Sequence, residues 1–196
     1  MTKADRTRQY IIDKSAPVFN RRGIAGTSLS DLTEATHLTK GALYGNFSSK
    51  DEIAIEAFRH SMGRVRQAFR AVVDLEASNR GKILAFLEFY DKNVLKPPVP
   101  GGCPFMNTAV EADDHQTFLR RAVAQEGQRV IDFLASLFEA GRDAGEFRAD
   151  IRPKELGSFI FCAVEGAIVI ARVAGSREPM RIVVSQCKQI VKQITV

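Results

Sequence analysis

The sequence predicts an all-α fold of about nine helices, and three observations carry that expectation. Apolar residues recur at the i, i+3, i+4 spacing of a helix face along almost the whole chain. Helix-initiating Ser and Thr and helix-ending Gly and Pro fall at helix-length intervals. No segment has the two-residue alternation of a half-buried strand.

The first periodic segment, 5–21, places Ile11, Ile12, Ser15, Val18 and Phe19 on one face and stops at Arg22-Gly23. Pro17 removes a backbone donor, at a cost of about 3 kcal/mol in an ideal helix, so a kink or tolerant packing is expected there. After the loop 23–27, Ser28 with Asp31 three residues on has the spacing of a capping box and opens a short helix striped by Leu29, Leu32 and Ala35. Thr39 is a good N-cap for a second short helix, which runs through Gly41, Ala42, Leu43 and Tyr44 to about Asn46 and is closed by Phe47. Ser49-Lys50-Asp51-Glu52 reads as another capping box, starting a long amphipathic helix to Val73 that carries Ile53, Ala57, Met62, Val65 and Phe69. Beyond the polar break 78–81, a helix over 82–95 presents Ile83, Phe86, Leu87 and Tyr90 and ends in the Pro- and Gly-rich loop 97–102. A short helix over 103–112 and a long one over 117–142 follow. Helices over 153–174, nearly apolar in its second half, and 178–194 finish the chain.

The 196 residues, 45% hydrophobic and 26% charged, describe a globular chain of one or two domains able to bury a full-sized core. The N-terminus is charged from its third residue, without the apolar stretch of a secretory leader. The longest apolar run, around Ala167–Ala171, reads as too short to span a bilayer, so a soluble, cytoplasmic protein without membrane contact is expected. Cys103, Cys162 and Cys187 lie far apart, in no CxxC pairing, which favours reduced thiols over a disulfide framework or zinc site. Asp113-Asp114-His115 lacks further ligands at metal-binding spacing and reads as a polar helix start; no metal or cofactor is expected. The net charge of +5 is segregated: residues 1–73 hold 12 Lys and Arg against 7 Asp and Glu, while the remainder holds 16 of each. That is the electrostatic footprint of a polyanion-binding head on a neutral body, and equally of a solvated basic face.

The segment 28–53 decides between them. Two short helices joined by a tight turn, apolar at Leu29, Leu32, Ala35, Leu38 and Leu43, have the inside pattern of a helix-turn-helix, whose second helix enters the major groove. Gly41 and Ala42 are small enough to let the start of that helix approach base edges. His37 occupies the turn, where a positive φ is often needed. The segment resembles the DNA-binding domain of the TetR family: a loop ending in paired Thr/Ser, a short helix, a turn, then Thr/Ser-x-Gly-x-Leu/Ile-Tyr-x-His/Asn-Phe-x-Ser/Asn-Lys-Asp/Glu. Here the pattern is met by Thr27 and Ser28, then Thr39, Gly41, Leu43, Tyr44, Asn46, Phe47, Ser49, Lys50 and Asp51. His37 stands where the family usually has glycine, and Asn46 where many members have histidine. The resemblance covers residues 5–60 strongly and the rest by helix count.

The resemblance implies that Thr27, Ser28, Tyr44, Asn46 and Lys50 hold phosphates of double-stranded DNA, while Lys40, Gly41 and Ala42, with Thr39 at the cap, face bases. That division agrees with backbone donors positioning a protein and the exposed start of the reading helix reading sequence. It also implies a DNA-binding domain over 1–50 and an effector-binding and dimerisation domain over 51–196, joined through helix 51–73. A homodimer would form through the last two helices and bind a pseudo-palindromic operator, with a small apolar or amphipathic effector releasing the repressor. Candidates for the effector site are the aromatic and sulfur side chains Phe86, Tyr90, Phe105, Met106, Phe133 and Cys162, with Cys103, Asn107 and Glu165 as orienting groups. A redox response through Cys103 is one alternative. A cysteine-dependent enzyme using Cys103, His115 and Asp113 is another, although no spacing argues for it.

Overall fold

A computed structural model describes residues 2–196, the side chain of Asp114 excepted. Nine α-helices and one 3-10 turn make up the described residues: α1 Lys3–Arg22, α2 Leu29–Thr36, α3 Lys40–Tyr44, α4 Lys50–Val73, α5 Asn79–Asn93, α6 Pro104–Asp114, α7 Arg120–Asp143, α8 Pro153–Ala174 and α9 Glu178–Ile194. The turn, Thr117–Leu119, precedes α7 where one continuous helix was expected. Asp113 and His115 lie at the end of α6, not at a helix start, and His115 is its C-cap; Asp114 of that triplet lies outside the residues whose side chains are described. An isolated antiparallel bridge between Phe147 and Thr195 is the one β interaction described.

The helix starts follow from their caps. Thr2 and Asp5 form a capping box on α1, and Ser28 with Asp31 forms one on α2. Ser78 caps α5 by accepting from Gly81 N–H, and Pro stands in the first turn of α6, α8 and α9, where the missing donor costs nothing. Helix α1 runs unbroken through Pro17. The expected box at the start of α4 forms only in half: Glu52 N–H donates to Ser49 Oγ at 3.1 Å, but the Glu52 carboxylate turns to Ser48 and Arg8.

The described residues form two compact units, Met1–Val65 with Val99–Glu126, and Arg66–Pro98 with Gly127–Val196. The first is built on a core of Ile11, Ile12, Phe19, Leu32, Leu43, Phe47, Ile53 and Phe58, into which Ala112, Leu119, Ala122 and Val123 also pack. The first unit runs past residue 50, and α6 and the start of α7 share the core of the helix-turn-helix.

In the second unit α9 packs against both α8 and α5, and the ion pair Arg177–Asp91 (2.9 Å) and the Lys188–Glu88 pair tie α9 to α5. Gly157 lets α8 close on α7, since a Cβ there would lie 2.9 Å from Ile131 O. Phe69, Phe86, Phe89, Tyr90 and Phe133 form an aromatic cluster with successive centroids 4.9–6.3 Å apart. Helix α8 is long and apolar enough to cross a membrane, with mean hydropathy 1.9, contrary to the reading of its apolar run as too short; 44% of that stretch is buried within the protein. A core helix of a soluble protein meets the same test of length and composition.

Candidate nucleic-acid interface

Each part of the helix-turn-helix is held by an identifiable interaction. Ser28 Oγ accepts from Asp31 N–H at 3.2 Å, while the Asp31 carboxylate accepts from Ser28 N–H and Oγ–H at 2.7 Å each. These bonds, with Arg22 nearby, hold the Asp31 carboxyl below its ordinary range, so the cap is charged at neutral pH. Helix α2 ends at His37, whose φ of 55° and ψ of 29° place it in the left-handed region, the conformation expected of that turn. Thr39 then caps α3, accepting from Ala42 N–H at 3.1 Å. Tyr10 O–H donates to Thr36 O at 3.0 Å and anchors the end of α2 to α1.

The five-residue α3 is too short to be stable by itself and depends on its fastenings. Leu43 and Phe47 are buried in the core on its inner side. At its far end Arg8 stacks over the Phe47 ring at 4.1 Å and donates to Asn46 O at 2.5 Å and Glu52 Oε1 at 2.6 Å. Glu52 also accepts from Ser48 N–H and Oγ–H; these bonds, the backbone one foremost, together with Arg8, bring its carboxyl down to about 2.

With the inner side fixed, Thr39, Lys40, Gly41 and Tyr44 are exposed on the outer side and Ala42 and Asn46 are half-buried. Ser28 is exposed at the start of α2. Two of the nine expected DNA-binding residues are differently engaged. Thr27 is only 1% exposed and its hydroxyl donates to Gly23 O at 2.5 Å. Lys50 is half-buried and its ammonium donates to Ile24 O (3.0 Å) and Thr27 O (2.8 Å), which occupies two of its three protons with the preceding loop. Asn46 donates to Ala42 O at 2.9 Å, closing the last turn of α3. Arg8 was not among the expected residues; its sequence signal is faint, one basic residue among several near the N-terminus.

Gly41 is the second residue of α3. A Cβ at this position would meet nothing in the protein nearer than Thr39 Oγ1 at 3.8 Å, so packing does not require glycine. Gly41→Ala is expected to raise thermal stability, since glycine within a helix costs about 1 kcal/mol relative to alanine. The added methyl stands on the outer face, and operator affinity is expected to fall about fivefold to tenfold, ~1 kcal/mol, read by titration beside a melting curve. Affinity unchanged in a stabilised variant would remove Gly41 from the contact surface.

The expected effector residues do not form one group. Phe86, Tyr90 and Phe133 meet in the aromatic cluster of the second unit, where Phe86 is fully buried by packing. Glu165 is buried on α8, whereas Cys162 is exposed on the same helix. Cys103, Phe105, Met106 and Asn107 belong to the first unit. The Asn107 amide is engaged with Asn20 O, Asn20 Oδ1 and Gly101 O, at 2.9, 3.1 and 3.2 Å.

Two capped helices joined by a three-residue turn that His37 enters in the left-handed conformation, the second exposing its outer face beyond a buried Leu43, define a helix-turn-helix DNA-binding regulator. The family model of bacterial regulatory proteins of the tetR family matches residues 11–57, and that of the tetracyclin repressor-like C-terminal domain matches residues 80–187. The chain belongs to the TetR family. It is 38% identical to a TetR-family transcriptional regulator from Cytophaga hutchinsonii, whose structure superposes with a TM-score of 0.92 over 100% of this chain and 98% of that one. It is 26% identical to a cysteine mutant of the TetR-family regulator CifR, solved with 26-base-pair operator DNA, with a TM-score of 0.82 over 92% of this chain and 94% of that one. Similarity also extends to the HTH-type transcriptional repressor DhaR of Mycobacterium sp. strain GP1, 23% identical over 88% of this chain and 86% of that protein.

Proposed function

We propose that the chain is a cytoplasmic, homodimeric repressor that binds a pseudo-palindromic DNA operator through α2 and α3 and is released by a small apolar or amphipathic effector. The observation that carries the reading is the outer face of α3: Thr39, Lys40, Gly41 and Tyr44 stand exposed on a helix whose inner side, cap and far end are all fixed. Ser28, Tyr44 and Asn46 contact phosphates, with the remaining proton of Lys50 available to another, while Lys40, Gly41 and Ala42 face bases. Selection of bound sequences from random double-stranded DNA tests this directly. A half-site repeated at about one helical turn or a multiple of it is expected, and recovery of no preferred sequence would overturn the reading.

The dimer is assigned to α8 and α9. Phe159, Cys162, Gly166, Val169, Ile170 and Val173 share one exposed face of α8, and a Cβ at Gly166 would meet nothing within 4 Å. Six such positions at i, i+3, i+7, i+10, i+11 and i+14 make an apolar stripe with space for close helix approach, and Ile182 of α9 adds to it. The effector belongs with the aromatic residues of the second unit. The cysteine-dependent alternative lacks its geometry: Cys103 precedes α6 and Asp113 and His115 stand at its end, ten or more residues away, about 15 Å along the helix axis, out of reach of the thiol. A cysteine-triggered release is the second reading, favoured by Cys103 standing as the N-cap residue of α6, whose side chains hold the loop before α2. Cys187 is a poor candidate, its thiol pushed up to about 11 by burial. Loss of oxidant response in Cys103→Ser with operator affinity intact would support this reading.

A further inference from the structure

We propose that Glu111 on α6 is the positioning residue that sets the DNA-reading helices, by holding the backbone of the loop between α1 and α2. The Glu111 carboxylate accepts from Ile24 N–H at 2.8 and 2.9 Å, one distance to each oxygen, and from Ala25 N–H at 2.8 Å. These donors lie just beyond α1, and the carboxylate reaches them across 86 and 87 positions of sequence. Bonds of backbone N–H to a charged acceptor are shorter and stronger than neutral ones.

Three further features make this contact a defined joint. Gly23 has φ +77°, and a Cβ there would stand 2.8 Å from Glu111 Oε1, so the close approach of the carboxylate requires glycine. Lys50 grips the same loop from its other polar side through Ile24 O and Thr27 O, so the Ile24 residue is held by a carboxylate at its N–H and an ammonium at its C=O. A second set of bonds reinforces the joint one helical turn earlier. Asn20 donates to Pro100 O (2.8 Å) and Gly102 O (3.2 Å), and Asn107 of α6 donates back to Asn20 O. Gly101, with φ +105°, is required here too, because a Cβ would lie 2.6 Å from Asn20 O.

The consequence is directional. Ile24 and Ala25 lead through Thr27 to Ser28, the cap of α2, so α6 is connected to the reading pair through main-chain atoms. A shift of α6 along or about its axis must either carry this loop with it or break charge-assisted bonds. The backbone carbonyl of Glu111 accepts from His115 N–H at 3.1 Å and Gln116 N–H at 2.6 Å, so the same residue also closes the end of α6. Asn107, expected to orient an effector, is thereby assigned to the joint. The inference rests on α2 and α3 being the operator-contacting pair.

The test uses the full-length protein, an operator selected from random DNA, a scrambled duplex of equal length, and residue-resolved amide exchange. In Glu111→Leu, exchange at Ile24 and Ala25 is expected to accelerate at least about tenfold, and the operator-to-scrambled affinity ratio to fall about tenfold, the effect of losing bonds to a charged acceptor. Amides in α8 and α9 keep their wild-type protection, which distinguishes loss of positioning from general destabilisation. Glu111→Gln, isosteric with one carbonyl oxygen left, falls between wild type and Glu111→Leu, and decides the matter if the leucine variant does not fold. Unchanged exchange at Ile24 and Ala25, or an unchanged affinity ratio, overturns the proposal. Wild-type protein without any sequence preference would instead sink the operator reading, and the exchange measurement would still decide whether Glu111 holds the loop.

Discussion

Replacing Ile170 by glutamate is expected to turn the proposed dimer into monomers and to cost operator affinity at least about 100-fold, ~2.7 kcal/mol. Ile170 lies on the outer face of α8, 58% exposed, between Val169 and Val173. In a two-fold dimer the same face meets itself, so one substitution introduces two carboxylates into one apolar contact, each without a partner. Loss of the dimer separates the two reading heads, and the second half-site then binds as an independent event in place of a tethered one. Sedimentation at micromolar concentration and operator titration at fixed salt read the two effects together. A dimeric Ile170→Glu variant would move the interface off this face.

Arg8→Ala is expected to reduce operator affinity by on the order of 30-fold, ~2 kcal/mol, without altering the slope of affinity against salt. The side chain is engaged inside the protein, over Phe47 and on Asn46 O and Glu52, and it fixes the far end of the short α3. A phosphate contact would lower the salt slope by about one unit per charge removed; a residue that only orients α3 leaves it unchanged. Arg8→Lys should not rescue, since an ammonium cannot stack and donate to two partners in one plane. A slope reduced by one would instead make Arg8 a phosphate ligand.

The same clamp has a pH signature. Glu52 is held at about 2 against an ordinary 4.5, mainly by the Ser48 amide and then by Arg8. For a depressed carboxyl the stabilising contribution is complete above the unfolded value and is lost as pH falls through the folded one. Stability differences between wild type and Glu52→Gln should therefore be constant above pH 5 and shrink toward pH 2, measured by urea unfolding across that window. A difference that persisted at pH 2 would assign the effect to shape and not to charge.

The head was legible because its signals are local. Ser28 with Asp31, Thr39 with Ala42, and His37 in the turn each act over two to four residues, and each forms as the sequence implied. The Ser49–Glu52 pattern misled for an equally physical reason: Ser48 and Arg8 offered the Glu52 carboxylate better donors than the cap amide did. Thr27 and Lys50 matched the motif in type, yet the loop they border claims their polar groups. Glu111 carried no local signal at all, as its partners are main-chain donors remote in sequence. The effector candidates rest on residue type, and aromatic residues serve a packed core as readily as a cavity, so burial such as that of Phe86 does not separate the two roles.

The helix-turn-helix core draws on two stretches of chain, Met1–Val65 and Val99–Glu126. Recombination between relatives by a single crossover after α4 would thus divide one folding unit between two parents. Such a chimera would set Ile11, Leu32 and Phe58 against foreign counterparts of Ala112, Leu119 and Val123, and the mismatch would appear as lost cooperativity before any change in which DNA is read. Transplanting specificity in this fold is better done by exchanging the outer face of α3 alone, leaving both inherited halves of the core together.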